Sequence, residues 1–236
     1  MNLFQLSLGC FLYSIFTNFD KSYRDFLNEV DGNLDLEKSN HRKSLITWLN
    51  SWGCRQFAVK YHEFASENVR KWYIENKNLI PNDKAHLWNL TDTQILNLHK
   101  AYTNLELTTV SYKNRPKGRI SVTAGPTGAS KALFALRPNV AIPWDIPIRD
   151  HLKKNLKITG YLDFLNHAKT TILNLQRDIE KKDWTLEMLP ERIGRPNSTL
   201  TKLIDEYYWV TITRKCEIPT EAQFRKLIGW QSLYPS

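Results

Sequence analysis

The stretch GPTGASKALFALRPNVAIPWDIPIRDHL, residues 125 to 152, places a lysine and an aspartate in settings that favour chemistry. Gly125 and Gly128 bracket Pro126 and Thr127, which predicts a tight turn with exposed backbone N–H groups ahead of a helix over 129–136. Amides at a helix start can hold a phosphate. Lys131 then falls in the first turn of that helix, where the helix dipole opposes the ammonium form. A lysine held as the free amine attacks electrophilic carbon and forms a Schiff base. Asp145 stands between Trp144 and a helix over 146–156 whose first turn contains Pro147, the position expected of an N-cap. A capping carboxylate is rigid and kept ionised by backbone donors, so it can stabilise a developing positive charge or orient a water. Plainer roles stay open for each: Asp145 as a structural cap, Lys131 as a phosphate contact, and Trp144 as core.

The same region carries the charge. The chain of 236 residues has a formal net charge of +9, and ten Lys or Arg lie between Lys113 and Lys157 against only Asp145 and Asp150. Such a concentration favours a polyanion through phosphate contacts and counterion release. The segment TTVSYKNRPKGRISVT, residues 108 to 123, is β-branched at both ends and basic between, which predicts a loop or short hairpin presenting Lys113, Arg115, Lys117 and Arg119. Three cysteines without C-x-x-C spacing exclude a disulfide framework, a zinc ribbon and a four-cysteine cluster, and the histidines show no metal-binding pairing. No metal or other cofactor is expected, and the scattered thiols fit a reducing cytoplasm.

The elements that must position these groups read as helical throughout. HRKSLITWLNSW, capped by Ser39 or Asn40, is followed by the amphipathic QFAVKYHEFASENVRKWYIEN. TDTQILNLHKAYTNLEL opens on a Thr91 or Asp92 cap, and GYLDFLNHAKTTILNLQRDIEK aligns Leu162, Leu165, Ala168, Ile172, Leu175 and Ile179 on one face. A last helix begins after Thr220, and only Tyr208 to Thr213 looks strand-like. The apolar N-terminus, MNLFQLSLGCFLYSIF, lacks a basic flank and is interrupted by Asn18, so it reads as a buried first helix and not as a targeting or membrane segment. The expectation is an all-α chain with at most one small hairpin. It would form two helical lobes with a cleft: 1–107 as the N-terminal lobe, 108–157 as a basic arm with a DNA-binding and catalytic segment, and 158–236 as C-terminal helices.

The order of glycine turn, Lys131, apolar helix, then Val-Ala-Ile-Pro-Trp-Asp and Ile148-Arg149 resembles the helix-hairpin-helix DNA glycosylases, in particular their 8-oxoguanine glycosylase-like branch. The resemblance spans about thirty residues. It implies that Gly125 and Gly128 grip DNA phosphate, that Lys131 is the Schiff-base lysine of bifunctional members, and that Asp145 is the retained aspartate. Arg149, with Lys153 and Lys154 on the same helix, would add DNA contacts, and Trp144 would stack on the base. The implied activity is extrusion of one nucleotide from duplex DNA and cleavage of its N-glycosidic bond by a monomer, in base excision repair or in defence against phage DNA with modified bases. Oxidised guanine follows from the nearest resemblance; alkylated bases and modified pyrimidines are equally compatible. Two alternatives remain. ERIGRPNSTLTKLIDEYY is similar to a helix-turn-helix recognition element, which would make the chain a DNA-binding protein without catalysis, and Lys131 can also serve an enzyme acting on an acidic small molecule.

Overall fold

A computed structural model describes residues 1–116 and 118–231. It is mainly helical. The first four helices are α1 (Leu3–Phe16), α2 (Phe19–Glu29), α3 (Ser39–Ser51) and α4 (His62–Asn76), followed by α5 (Asp92–Leu107). A two-stranded antiparallel hairpin, β1 (Thr109–Arg115) and β2 (Gly118–Thr123), separates these from α6 (Gly125–Leu136) and α7 (Ile146–Leu156). The chain then continues through α8 (Tyr161–Glu180), the short α9 (Leu189–Arg192), α10 (Leu200–Tyr208) and α11 (Glu221–Gln231).

Local chemistry accounts for several of these boundaries. Thr91 and Gln94 form a reciprocal capping box at the start of α5, satisfying two backbone donors that the helix leaves free. Thr220 and Gln223 repeat the device at α11. The apolar face of α8 is buried at Leu165, Ala168, Ile172, Leu175 and Ile179, as its helical spacing predicts. One continuous apolar core runs from Leu3 in α1 to Tyr208 in α10. No helix among the described residues is long and apolar enough to cross a membrane.

Four expectations are corrected. Tyr208 to Thr213 is no strand: α10 runs on into a π-helical turn, Trp209–Thr213, because the buried Val210 and the rings of Trp209 are packed by the body of the fold, which overrides β-branched propensity. The 125–128 segment is not a turn ahead of a helix. Helix α6 begins at Gly125, whose φ of +64° makes the bend out of β2, and Gly128 lies inside its first turn. Lys131 therefore sits in the second turn. Helix α1 is buried only along Leu3, Leu6, Gly9, Cys10 and Tyr13, and its outer face leaves Phe11, Ile15 and Phe16 exposed. Finally, α10 is buried on nearly every side, from Leu200 to Glu206 and at Tyr208. A recognition helix needs a free face for the DNA groove, and α10 has none.

The hairpin forms as the sequence pattern predicts, with Arg115 paired to Gly118 at the tip and an irregularity between Thr109 and Ser111. Gln56 anchors it. Its carbonyl accepts from the Ser111 hydroxyl at 2.6 Å and its Nε2 donates to the Ala124 carbonyl at 2.6 Å, so one side chain and its backbone fix both the hairpin base and the approach to α6.

Candidate active site

Lys131 and Asp145 meet. The Lys131 Nζ lies 3.0 Å from Asp145 Oδ1, and it donates a second hydrogen bond to the Trp52 carbonyl at 2.8 Å. The lysine side chain is 7% exposed and the aspartate 27%, so the pair sits at the boundary between core and solvent. An ammonium placed there needs its acceptors, since a buried unpaired charge is costly.

Each contact has a local origin. Helix α3 ends in a Schellman arrangement, with Gly53 at φ +84° and the Cys54 N–H bonded to the Leu49 carbonyl at 2.9 Å. That ending leaves the Trp52 carbonyl outside the helix ladder, free to accept from Lys131. Asp145 is delivered by an irregular return segment, residues 141–144, held from two elements. The Tyr161 hydroxyl donates to the Ile142 carbonyl at 3.0 Å and accepts from the Ile142 N–H at 3.2 Å, and Ser130 Oγ accepts from the Trp144 N–H at 2.9 Å. Because Ser130 precedes Lys131 and Trp144 precedes Asp145, this bond fixes the register of the Lys131 and Asp145 side chains.

Asp145 occupies the N-cap position of α7 with β-region dihedrals, yet its carboxylate makes no capping hydrogen bond. The expected backbone donors are replaced by the Lys131 ammonium. Trp144 points the other way. It is 5% exposed and lies against Phe164 and Tyr161 of α8, with centroid separations of 5.7 Å to each, so its ring is committed to the core instead of being presented for stacking. Its outer edge, with Arg149, Lys153, Glu106 and Pro126, borders a cavity of about 360 Å³ on the far side of the return segment.

The pocket in front of Lys131 and Asp145 is a separate cavity of about 70 Å³, walled by Tyr13, Phe19, Trp52 and Trp209 with Pro143 and Asp205. The rings brace one another: Trp209 meets Tyr13 edge-on at 5.4 Å and Phe19 at 6.2 Å, while Phe19 tilts on Trp52 at 5.7 Å. Tyr13 is pushed up to about 12 by burial, so its hydroxyl stays protonated at neutral pH. Burial, opposed by the Lys202 charge and reinforced by that of Asp145, pushes the Asp205 carboxyl up to about 7. Behind it lies a buried ionic cluster in which Arg195 pairs with Asp20 and Glu206, and Lys202 pairs with Glu206 at 3.0 Å.

The other DNA-facing residues expected from sequence are distributed around this centre. Lys113, Arg115 and Arg119 are exposed on the hairpin, with the Arg119 guanidinium 3.9 Å from the Tyr112 ring centroid. Lys117 lies outside the described residues. Lys153 and Lys154 are exposed on α7 and Arg149 is half-buried. Gly125 is free of close neighbours, but a Cβ on Gly128 would stand 2.6 Å from Gln56 Nε2 and 2.9 Å from the Phe57 ring, so Gly128 is a close-packing glycine and not a phosphate cradle. Sequence reasoning missed Trp52, Phe19 and Asp205. Only Asp205 left a signal, as one of three charges in a nine-residue helix that is otherwise largely apolar.

Among the described residues no group of three His, Cys, Asp or Glu side chains is placed to hold a metal ion. No protein-family model, curated protein or solved structure matches the chain.

Proposed function

We propose that the protein is a DNA glycosylase acting on duplex DNA as a monomer, with one nucleotide extruded and its base cut from the sugar. The observation that carries the reading is the Lys131–Asp145 pair: fourteen positions apart in sequence, the two groups meet at 3.0 Å on the floor of an aromatic-walled pocket. That is the residue pair the glycosylase resemblance singles out. Aromatic walls suit a flipped base, which stacks on π faces while its sugar meets charged groups.

The roles follow from the chemistry. As the N-glycosidic bond lengthens, positive charge develops on the sugar, and a carboxylate fixed beside it stabilises that charge. Asp145 has that role. Lys131, at the same point, has the role of nucleophile: freed of one proton, its amine attacks C1′ and gives a Schiff base; without that attack, water completes the reaction and leaves an abasic site. At about 70 Å³ the pocket is far below the roughly 300–1,000 Å³ typical of ligand sites, so admission of a base requires a wall to move. Phe19, 37% exposed at the start of α2 and just after the break at Thr17 and Asn18, is the side chain best able to swing aside. In this reading the duplex lies across a cleft between the helical lobes, gripped by the hairpin bases and by Lys153 and Lys154. The biological setting is base excision repair or defence against phage DNA.

The test is incubation of the purified protein with duplexes carrying a broad panel of damaged and modified bases, with mass spectrometry for free base and abasic sites. Release from at least one duplex is expected, and Asp145→Asn is expected to slow it by at least about a hundredfold with DNA affinity unchanged. Borohydride should trap a covalent adduct with wild type and not with Lys131→Gln if the lysine is the nucleophile. No release from any duplex overturns the reading.

A further inference from the structure

Asp205 faces the same pocket as Lys131 and Asp145 from the opposite element, α10. It is 7% exposed, and its carboxyl makes neither a hydrogen bond nor an ion pair among the described residues. The absence is notable because two cations lie near by. Lys202, however, pairs with Glu206 and Asp20, and Lys131 pairs with Asp145, so neither cation is ion-paired with Asp205. A buried carboxyl of this kind is costly as an anion and is tolerated as the neutral acid. It also opens onto the place where the bond would break.

Resting on the glycosylase reading above, we propose that Asp205 is a second catalytic carboxyl, which enters the reaction as the neutral acid and protonates the departing base. When the C1′–N bond breaks, its electron pair leaves with the base nitrogen, and the Asp205 O–H proton goes to that nitrogen. Asp205 is left as a carboxylate in the pocket that also holds the Lys131 ammonium. Transfer of one proton from Lys131 to Asp205 restores the acid and frees the amine, which bonds to C1′ of the oxocarbenium sugar. The base has gained one proton and the lysine has lost one, so the sequence balances with no other reactant.

The two carboxyls of the pocket then hold opposite states for a physical reason. Asp145 has an ammonium at 3.0 Å and access to solvent, whereas Asp205 has neither. A buried, unpaired carboxyl beside an ion-paired, solvent-reached one is an arrangement suited to divided acid and charge-stabilising roles. The charged groups that face Asp205 are Lys131 of α6, Asp145 at the start of α7, and Lys202 and Glu206 of its own helix. Tyr13 of α1 shares the pocket, and Asp20 of α2 belongs to the cluster behind it.

The deciding measurement is the single-turnover rate of base release between pH 5.5 and 8.5 for wild type, Asp205→Asn and Asp205→Glu, on a duplex from which wild type releases base. Wild type is expected to lose rate as pH rises through about 7. Asp205→Asn is expected to be slower by about 10²–10⁴-fold and flat across that range, with DNA affinity intact. Asp205→Glu is expected to recover part of the rate and the alkaline fall. Carbon-13 NMR of aspartate-labelled wild type supplies a readout independent of the variants' folding: one carboxyl titrating near neutral pH is expected, and the absence of any such carboxyl, with every aspartate already ionised at pH 5.5, overturns the proposal. An Asp205→Asn variant that keeps both rate and alkaline fall overturns it as well, while leaving the glycosylase reading in place. Absence of base release by wild type removes both.

Discussion

Two aspartates open on one pocket and differ in what surrounds them, and that difference is measurable without any substrate. Burial raises Asp205 from the usual value near 3.8 to about 7 in the folded chain. Between those values the folded state keeps a proton that the unfolded chain has released, so stability falls as pH rises across the window and the full loss is present above about 7. Asp205→Asn cannot ionise and escapes that loss. Its thermal midpoint should exceed that of wild type at pH 8 and approach it at pH 4, as followed by circular dichroism. Equal offsets at both values would mean that Asp205 is ionised in the fold. Asp145 is different in kind: it is paired with Lys131, and removing the lysine leaves a half-buried carboxylate without its partner, whereas removing Asp145 leaves a buried ammonium with only the Trp52 carbonyl.

At the level of elements, the site depends on how closely α6 approaches the segment after α3. Gly128 makes that approach possible, because a methyl group there would collide with Gln56 and Phe57. Gly128→Ala is expected to destabilise the protein by about 1–3 kcal/mol, the usual cost of overpacking, measurable as a lower urea midpoint. It should also loosen the hairpin, since Gln56 is the shared anchor of Ser111 and Ala124. The local half of this architecture was legible in the sequence. Capping pairs such as Thr91 with Gln94, the stripe on α8, the hairpin and the placement of Asp145 ahead of α7 all follow from interactions within a few residues. What was not legible is set at long range. The Trp52 carbonyl reaches Lys131 across 79 positions, and the π-helical turn that carries Trp209 goes against the propensity of its own β-branched residues. Asp145 was expected to be held by amides and is held instead by an ammonium, a substitution that no reading of its neighbours in sequence could supply.

Across the whole molecule, the pocket draws one or two side chains from each of seven places: Tyr13 from α1, Phe19 from α2, Trp52 from the end of α3, Lys131 from α6, Pro143 and Asp145 ahead of α7, Asp205 from α10, and Trp209 from the π-helical turn. These are joined by one continuous core and not by a local framework of their own. Loss of the site and loss of the fold should therefore be a single event. In urea, the fluorescence of the tryptophans, two of which flank the pocket, and the far-ultraviolet circular dichroism should share one midpoint; an earlier fluorescence transition would mark the pocket as a separately opening unit. The seven-part origin has a further consequence. The stretch 108–157 contains both Lys131 and Asp145, but it brings none of the four aromatic walls, so no excised fragment of it can be a minimal working unit. A cut made almost anywhere in the chain, even one that spares every charged group, separates some wall from its floor, and the two pieces would have to find each other again before either could be expected to act.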